Sequence, residues 1–322
     1  MANVRWVKLR SEEPPVWLRL QIRLAAFFDN YRGETRSRRV KRLPFKRIIK
    51  FYSRPIELEA LQYIQKHTTI PIPRVRKVYD YGGERQHMVM DAIDGQTLDS
   101  AWPGMTDEQR ENVVQEFTAY VQQLRSLVPP KEGAVGSSLL GPGYDHRLGD
   151  RLFGPFDDIS HFHYYVRRGM PLESWDESVK QVHGRSRSYT IKYAHGDMCP
   201  NNVLVKDGRI VAIVDWEFAG WYPEYWEYTK IHYGYRPYRE EFFNALEKTM
   251  TTYPEELKAE TAIWRVFSTF HYDDPIPDYV PKWEGSLEEE SVGKSPEGGL
   301  SAESREKADL HSGSRQSGPA EE

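Results

Sequence analysis

The chain of 322 residues contains a single cysteine, Cys199. A disulfide framework and a thiolate zinc cluster each need several, so both are excluded. No stretch approaches the roughly 18 consecutive apolar residues of a membrane-spanning helix. The start, Met1-Ala2-Asn3-Val4-Arg5, has no apolar run behind a basic region, so no secretory leader is expected. Neither charge sign dominates, with 44 Lys and Arg against 48 Asp and Glu. Aromatics are absent from residues 285–322, which hold eight Ser, six Gly and nine Asp or Glu against four Lys or Arg. Such a segment cannot bury enough apolar surface to offset its ordering entropy, and its composition predicts a disordered tail. The remainder is close to neutral, which gives no general case for a nucleic-acid partner. A soluble, cytoplasmic protein with no membrane partner and no evident obligate protein partner is the expectation.

What is present is a body able to build a core, since all of its 13% aromatic residues precede residue 285. Residues 16–28 have helical apolar spacing, suited to packing on the domain or lying on a membrane surface. Residues 32–50 hold nine Lys or Arg and one Glu, and read as strands near 35–42 and 46–52 around Leu43-Pro44. This is either a solvated sheet face or a basic surface near bound phosphates. A helix follows over 55–66, with Pro55 in its first turn. Strands are expected over 74–81 and 86–92 around Gly82-Gly83. Residues 106–127 form a long amphipathic helix, with Thr106 and Gln109 as a capping box. Residues 131–156, rich in Gly and Pro, read as a long surface loop. Helices are expected within 157–183 and over 224–233 and 238–250. The order is a small sheet region followed by a mainly helical one.

The chemistry concentrates in His195-Gly196-Asp197-Met198-Cys199-Pro200-Asn201-Asn202, followed by strands Val203–Lys206 and Ile210–Val214 and then Asp215-Trp216-Glu217. Asp207-Gly208 marks a tight hairpin between the strands. The hairpin brings its open ends together, so Asn202 and Asp215 become neighbours. An amide oxygen beside a carboxylate is a hard-oxygen site suited to Mg²⁺. Asp197, five residues before Asn202, supplies a second carboxylate close enough to accept a hydroxyl proton. Base, metal-binding Asn and metal-binding Asp are the groups that phosphoryl transfer to a hydroxyl requires.

This run resembles the catalytic and metal-binding motifs of the aminoglycoside phosphotransferase and choline kinase branch of the protein-kinase-like fold. The family order of His-Gly-Asp, four residues, Asn and then a strand-borne Asp is matched by His195, Asp197, Asn202 and Asp215. The stretch through Trp221-Tyr222-Pro223-Glu224-Tyr225-Trp226-Glu227 is similar to fungal members. The resemblance spans about 40–235 and implies an α+β, two-lobed fold with a small β-rich N-lobe and a mainly helical C-lobe. It implies ATP and Mg²⁺ as cofactors and a small-molecule hydroxyl substrate. The implied segments are an N-terminal extension (1–30), the ATP-side lobe (31–95), the catalytic lobe (96–284) and the tail (285–322).

By the same resemblance, Asp197 is the catalytic base, and Asn202 and Asp215 hold the metal. His195 belongs to the catalytic loop, as a brace or a proton shuttle. Glu217 supports the metal site. Lys50 contacts the ATP phosphates and pairs with Glu57, with Glu59 as the rival. Backbone groups near Asp91 and Ile93 hold the adenine.

Several readings stay open at this level. No glycine lies between Gly33 and Gly82, so the glycine-rich phosphate loop of protein kinases is missing. The basic hairpin at 36–47 is the available substitute. A protein serine/threonine kinase and a non-catalytic nucleotide-binding scaffold remain alternatives. Trp216, Trp221, Tyr222, Tyr225, Trp226 and Tyr228 suit either core packing or a cage for a quaternary ammonium group. Asp157, Asp158, Glu173 and Asp176 are either an acidic acceptor site for a polycation or ordinary surface.

Overall fold

The strand Arg47–Ser53 organises the first sheet. This strand, β2, forms a hairpin with β1 (Val40–Leu43), placing Val40 opposite Lys50 and Arg42 opposite Ile48. Ile49 points the other way and joins Leu43, Tyr79 and Val89 in a small separate core. Strands β3 (Val75–Gly82) and β4 (Arg85–Asp91) complete an antiparallel sheet of order β1-β2-β4-β3. Between β2 and β3 runs helix α1 (Pro55–His67), whose buried stripe is Ile56, Ala60, Leu61 and Ile64. Glu57 is buried beside that stripe, on the side facing Lys50.

The computed structural model describes residues 39–82, 85–233 and 240–267, together with Pro15, Val16 and Leu20. Most of the expected helix at 16–28, the first part of the strand at 35–42 and the tail at 285–322 lie outside the described residues. No helix among the described residues is long and apolar enough to cross a membrane.

After β4 the chain passes through β5 (Gln96–Thr97) and the short α2 (Leu98–Ala101) into α3 (Asp107–Ser126). The capping box forms: Gln109 N–H donates to Thr106 Oγ1, and Thr106 N–H donates to Gln109 Oε1. Helices α4 (Ile159–Val166) and α5 (Glu177–Gly184) start at side-chain caps from Asp158 and Asp176. Strand β6 (Ile191–Ala194) leads to the hairpin β7 (Val203–Lys206) and β8 (Arg209–Ile213). Its turn has Asp207 at φ 50° and Gly208 at φ 71°, the paired positive angles of a tight hairpin. Strand β9 (Gly220–Pro223) pairs with β6, and β5 joins the hairpin in a three-stranded sheet. Helices α6 (Trp226–Tyr233), α7 (Glu240–Glu247) and α8 (Pro254–Phe267) close the helical region.

Two sequence readings change here. Residues 131–156 are not a surface loop. Ala134, Val135, Ser137, Ser138, Tyr144 and Asp145 are buried, and bridges link Val135 to Phe156 and Gly136 to Trp221. The glycines serve close packing: a Cβ on Gly136 would lie 2.8 Å from the Gly141 carbonyl oxygen. The six aromatics from Trp216 to Tyr228 are core, each at most 3% exposed, and form no open cage.

Candidate active site

Lys50 is on β2, one of the two inner strands of the first sheet, and points into the space between sheet and hairpin. Its ammonium lies 2.7 Å from Glu57 Oε1 and 2.5 Å from Asp215 Oδ1. Burial opposes the lysine's charge, but the carboxylates of Glu57, Asp215 and Glu217 outweigh it and hold the pKa above its ordinary value. Glu59 points elsewhere and accepts hydrogen bonds from Ser137 Oγ and Leu139 N–H. The chain reverses just after β8 because Asp215 adopts φ 67°, a strained angle for a residue other than glycine. That reversal aims its carboxylate at Lys50.

On the other side of the hairpin ends, Asn202 Nδ2 donates to Asp197 Oδ2 and to the Asp197 carbonyl, both at 2.8 Å. Both amide protons are thereby used, and Asn202 Oδ1 is left as the free oxygen. Val214 N–H donates to the Asn202 carbonyl and ties the two hairpin ends together. Asp197 has its pKa pushed up to about 6, first by burial and also by Asp215, against the pull of Lys230 and Asn202.

His195 is fully buried within the loop that carries Asp197. Its Nδ1 accepts from the Asp197 N–H, which leaves the proton on Nε2 to donate to the Val214 carbonyl. Burial lowers its pKa to about 4, so the ring stays neutral.

The sequence reading missed Glu227. This buried carboxylate on α6 accepts hydrogen bonds from the backbone N–H groups of His195 and Gly196, and so clamps the catalytic loop from below. Burial pushes its pKa up to about 7. A detectable signal existed: an acid in an otherwise aromatic run, Tyr225-Trp226-Glu227-Tyr228, must find a buried partner.

Lys50, Asn202 and Asp215 line a cleft of about 590 Å³. Val40 and Ile48 line it from the sheet, Leu204 and Val214 from the hairpin, and Asp91, Ala92 and Ile93 along the connecting segment. Asp91 N–H donates to the Arg74 carbonyl, Ala92 N–H donates to the Lys46 carbonyl, and the Asp91 carboxylate grips Arg76. The basic hairpin is divided between the two ends of the cleft. Its turn, with Phe45 and Lys46 at positive φ, lies beside Ala92, whereas Arg39 comes within 3.9 Å of Glu217. Arg39 and Arg42 of the hairpin line the cleft, and Arg39 joins Lys50 as a described cation at the Asp215 end.

The residues present fit a divalent cation. Oxygens of Glu57, Asp215 and Glu217 all lie within 4.8 Å of one another, and Glu57 Oε2 is buried without a hydrogen-bond partner. Asp215 and the free Asn202 oxygen add a carboxylate–amide pair of the hard donors that Mg²⁺ takes.

The model of the phosphotransferase enzyme family APH matches residues 22–259. The chain belongs to this family. No curated protein matches it. Among solved structures, this phosphotransferase family member is similar to a thermostable mutant of aminoglycoside phosphotransferase APH(4)-Ia in its apo form. The TM-score is 0.53 at 14% identity, over 76% of this chain and 91% of that one. Aminoglycoside phosphotransferase APH(4)-Ia itself matches with a TM-score of 0.52 at 14% identity, over 77% and 91%. A ternary complex of the thermostable mutant with AMP-PNP and hygromycin B gives 0.50 at 15% identity, over 76% and 90%. At such identity the likeness establishes the fold, a two-lobed protein-kinase-like architecture with a β-rich N-lobe and a helical C-lobe.

Proposed function

We propose that this phosphotransferase family member transfers the γ-phosphoryl group of ATP to a hydroxyl of a small molecule, with Mg²⁺, in the cytoplasm. The observation that carries the reading is that the Glu57–Lys50–Asp215 chain and the Asp197–Asn202 pair meet at the hairpin ends, with Lys50, Asn202 and Asp215 lining one cleft. In this reading residues 31–95 form the nucleotide lobe and 96–284 the catalytic lobe, flanked by the extensions 1–30 and 285–322.

The adenine would lie between Val40 and Ile48 above and Leu204 and Val214 below. Asp91 N–H and Ala92 N–H are already used within the protein, so the base would be held by the Asp91 carbonyl and the Ile93 N–H. Lys50 would contact the α and β phosphates, its direction fixed by Glu57. Asn202 Oδ1 and Asp215 would hold Mg²⁺, with Glu217 supporting them. When bound, the ion neutralises charge on the phosphates. Asp197 takes the acceptor's hydroxyl proton as the oxygen bonds to the γ-phosphorus, and the bond to the β,γ-bridging oxygen breaks to release ADP. Its raised pKa suits a base that must be free at neutral pH yet able to hold a proton.

The short connection from Asp215 to β9 favours a small acceptor over a protein. Trp216, Glu217, Phe218 and Ala219 are all buried, which leaves no exposed segment there to receive a polypeptide. The test is a panel of hydroxylated metabolites with ATP and Mg²⁺, read by ADP release, with Asp197→Asn as control. Acceptor-dependent ADP release that the control loses supports the reading. Mg²⁺-ATP binding without release for any acceptor would mark the protein as a non-catalytic nucleotide binder.

A further inference from the structure

We propose that His146 is an acceptor-binding residue, and that the acceptor is a neutral polyhydroxylated molecule of the sugar or glycoside type. This inference rests on the phosphotransferase reading and adds the substrate class to it.

His146 is exposed, yet both of its neighbours in sequence are buried in ion pairs. Asp145 is completely buried, and its Oδ1 receives Lys230 Nζ at 2.7 Å and the Arg147 N–H at 2.9 Å. Arg147 is 5% exposed and pairs with the fully buried Glu260 of α8. Burying two ion pairs is costly, and apolar residues of similar volume often serve stability as well or better. The site even leaves Asp145 Oδ2, Arg147 Nε and Glu260 Oε1 buried without hydrogen-bond partners. What the arrangement does achieve is placement. It fixes the backbone on both sides of one exposed imidazole.

That imidazole is held beside the reaction centre. Its ring packs on Phe218 at 4.7 Å and on Tyr233 at 5.7 Å. Phe218 lies directly beneath the catalytic loop, since a Cβ on Gly196 would come 2.7 Å from the Phe218 carbonyl oxygen. Lys230, Asp145 and Asp215 act electrostatically on both His146 and Asp197, so the two share one neighbourhood. Helix α6 ties them together, with Glu227 gripping the catalytic loop and Lys230, one turn later, gripping Asp145. His146 does not line the nucleotide cleft. It stands outside the cleft, linked through Phe218 to Gly196, the residue before Asp197, and an acceptor must bring its hydroxyl to Asp197.

The carboxylates that anchor the segment around His146 are already paired. Asp145 and Glu260 are each neutralised by a buried cation. Asp157 binds Lys131, and Asp158 and Asp176 cap helices, while Glu173 is exposed. His146 and the half-buried Tyr233, backed by the buried Phe218, instead offer ring surface and an imidazole able to donate and accept, which matches a hydroxylated ring with an apolar face.

The experiment uses the full chain and two probe sets, with ADP release as readout. One set is glucose, N-acetylglucosamine, myo-inositol and methyl glucoside; the other is kanamycin and choline. Turnover is expected with a member of the neutral set and not with the cations. His146→Ala should then raise the acceptor KM by about tenfold or more while leaving the Mg²⁺-ATP Kd within about twofold. His146→Gln, which keeps a donor and an acceptor, should recover part of that loss. Turnover confined to the cations, no turnover with any neutral probe by protein that binds Mg²⁺-ATP, or an unchanged KM in His146→Ala would each overturn the inference. Failure of the wild type to bind Mg²⁺-ATP would instead overturn the underlying phosphotransferase reading.

Discussion

Lys50 Nζ lies 2.5 Å from Asp215 Oδ1, although the two residues are 165 positions apart in the chain. The contact joins the first sheet to the β7–β8 hairpin across the cleft. Lys50→Ala should remove that link and weaken Mg²⁺-ATP binding or turnover. Glu57→Ala should act in the same direction, because Glu57 fixes the ammonium from behind. Glu59→Ala should leave nucleotide affinity nearly unchanged and lower stability by about 1–2 kcal/mol, since Glu59 anchors Ser137 and Leu139 instead. Calorimetric titration with Mg²⁺-ATP and thermal melts of all three variants check this. A Glu59 variant that loses nucleotide affinity while Glu57→Ala keeps it would contradict the assignment.

Asp215→Ala should abolish Mg²⁺-dependent nucleotide binding, and Asn202→Ala should weaken it. Removing Asp215 takes a carboxylate from the metal site and a partner from Lys50 together. Removing the Asn202 amide takes one neutral oxygen donor and frees Asp197 from its hydrogen bond. The measurement is nucleotide affinity with Mg²⁺ and with chelator present. Equal affinities in the two conditions for the wild type would remove the case for a metal there.

Asp197→Asn should cut turnover by about 10²-fold or more while Mg²⁺-ATP still binds, because the amide keeps the shape and loses the basicity. The wild-type carboxyl titrates at about 6 in the folded chain against an ordinary value of 3.8. As the base must be ionised, kcat/KM should fall as pH drops through about 6. The stability effect has the opposite sense. The folded state holds this proton more tightly than the unfolded state, so ionisation opposes folding above pH 6 and has no effect once both states are protonated. Asp197→Asn should therefore melt higher than the wild type at pH 8, and the advantage should vanish near pH 3. A variant of normal activity, or one destabilised at pH 8, would refute the burial-strained base.

The meeting of the hairpin ends was legible in the sequence because its geometry is local. Asn202 and Asp215 are brought together by one tight hairpin whose turn residues, Asp207 and Gly208, announce it. Lys50 and Glu57 are seven residues apart across a single strand-to-helix connection. The surroundings of His146 were not legible. Its anchors pair residues separated by 85 positions (Asp145–Lys230) and 113 positions (Arg147–Glu260), and no periodicity encodes such contacts. The glycines and prolines of 131–156 looked like solvent-exposed turns, but the glycines permit close backbone approach inside the core. Strands β6 and β9 were also hidden, since four residues each, buried between helices, show no alternation.

Gly196→Ala probes how tightly the catalytic loop is held. Gly196 has φ 77°, and an added Cβ would lie 2.7 Å from the Phe218 carbonyl oxygen and 3.0 Å from its Cβ. The left-handed angle alone disfavours alanine by about 1–2 kcal/mol. The nearest obstacle is backbone, in a segment whose side chains are core, so it cannot swing aside. The loop must shift instead, against the Glu227 carboxylate that holds its N–H groups. Destabilisation of about 2–4 kcal/mol is expected, with turnover reduced even in the fraction that stays folded. Gly104→Ala is the control, because nothing lies within 4 Å of its added Cβ. Thermal melts and ADP release on both variants decide the matter. If Gly196→Ala melts and turns over like Gly104→Ala, the loop is not clamped between Phe218 and Glu227.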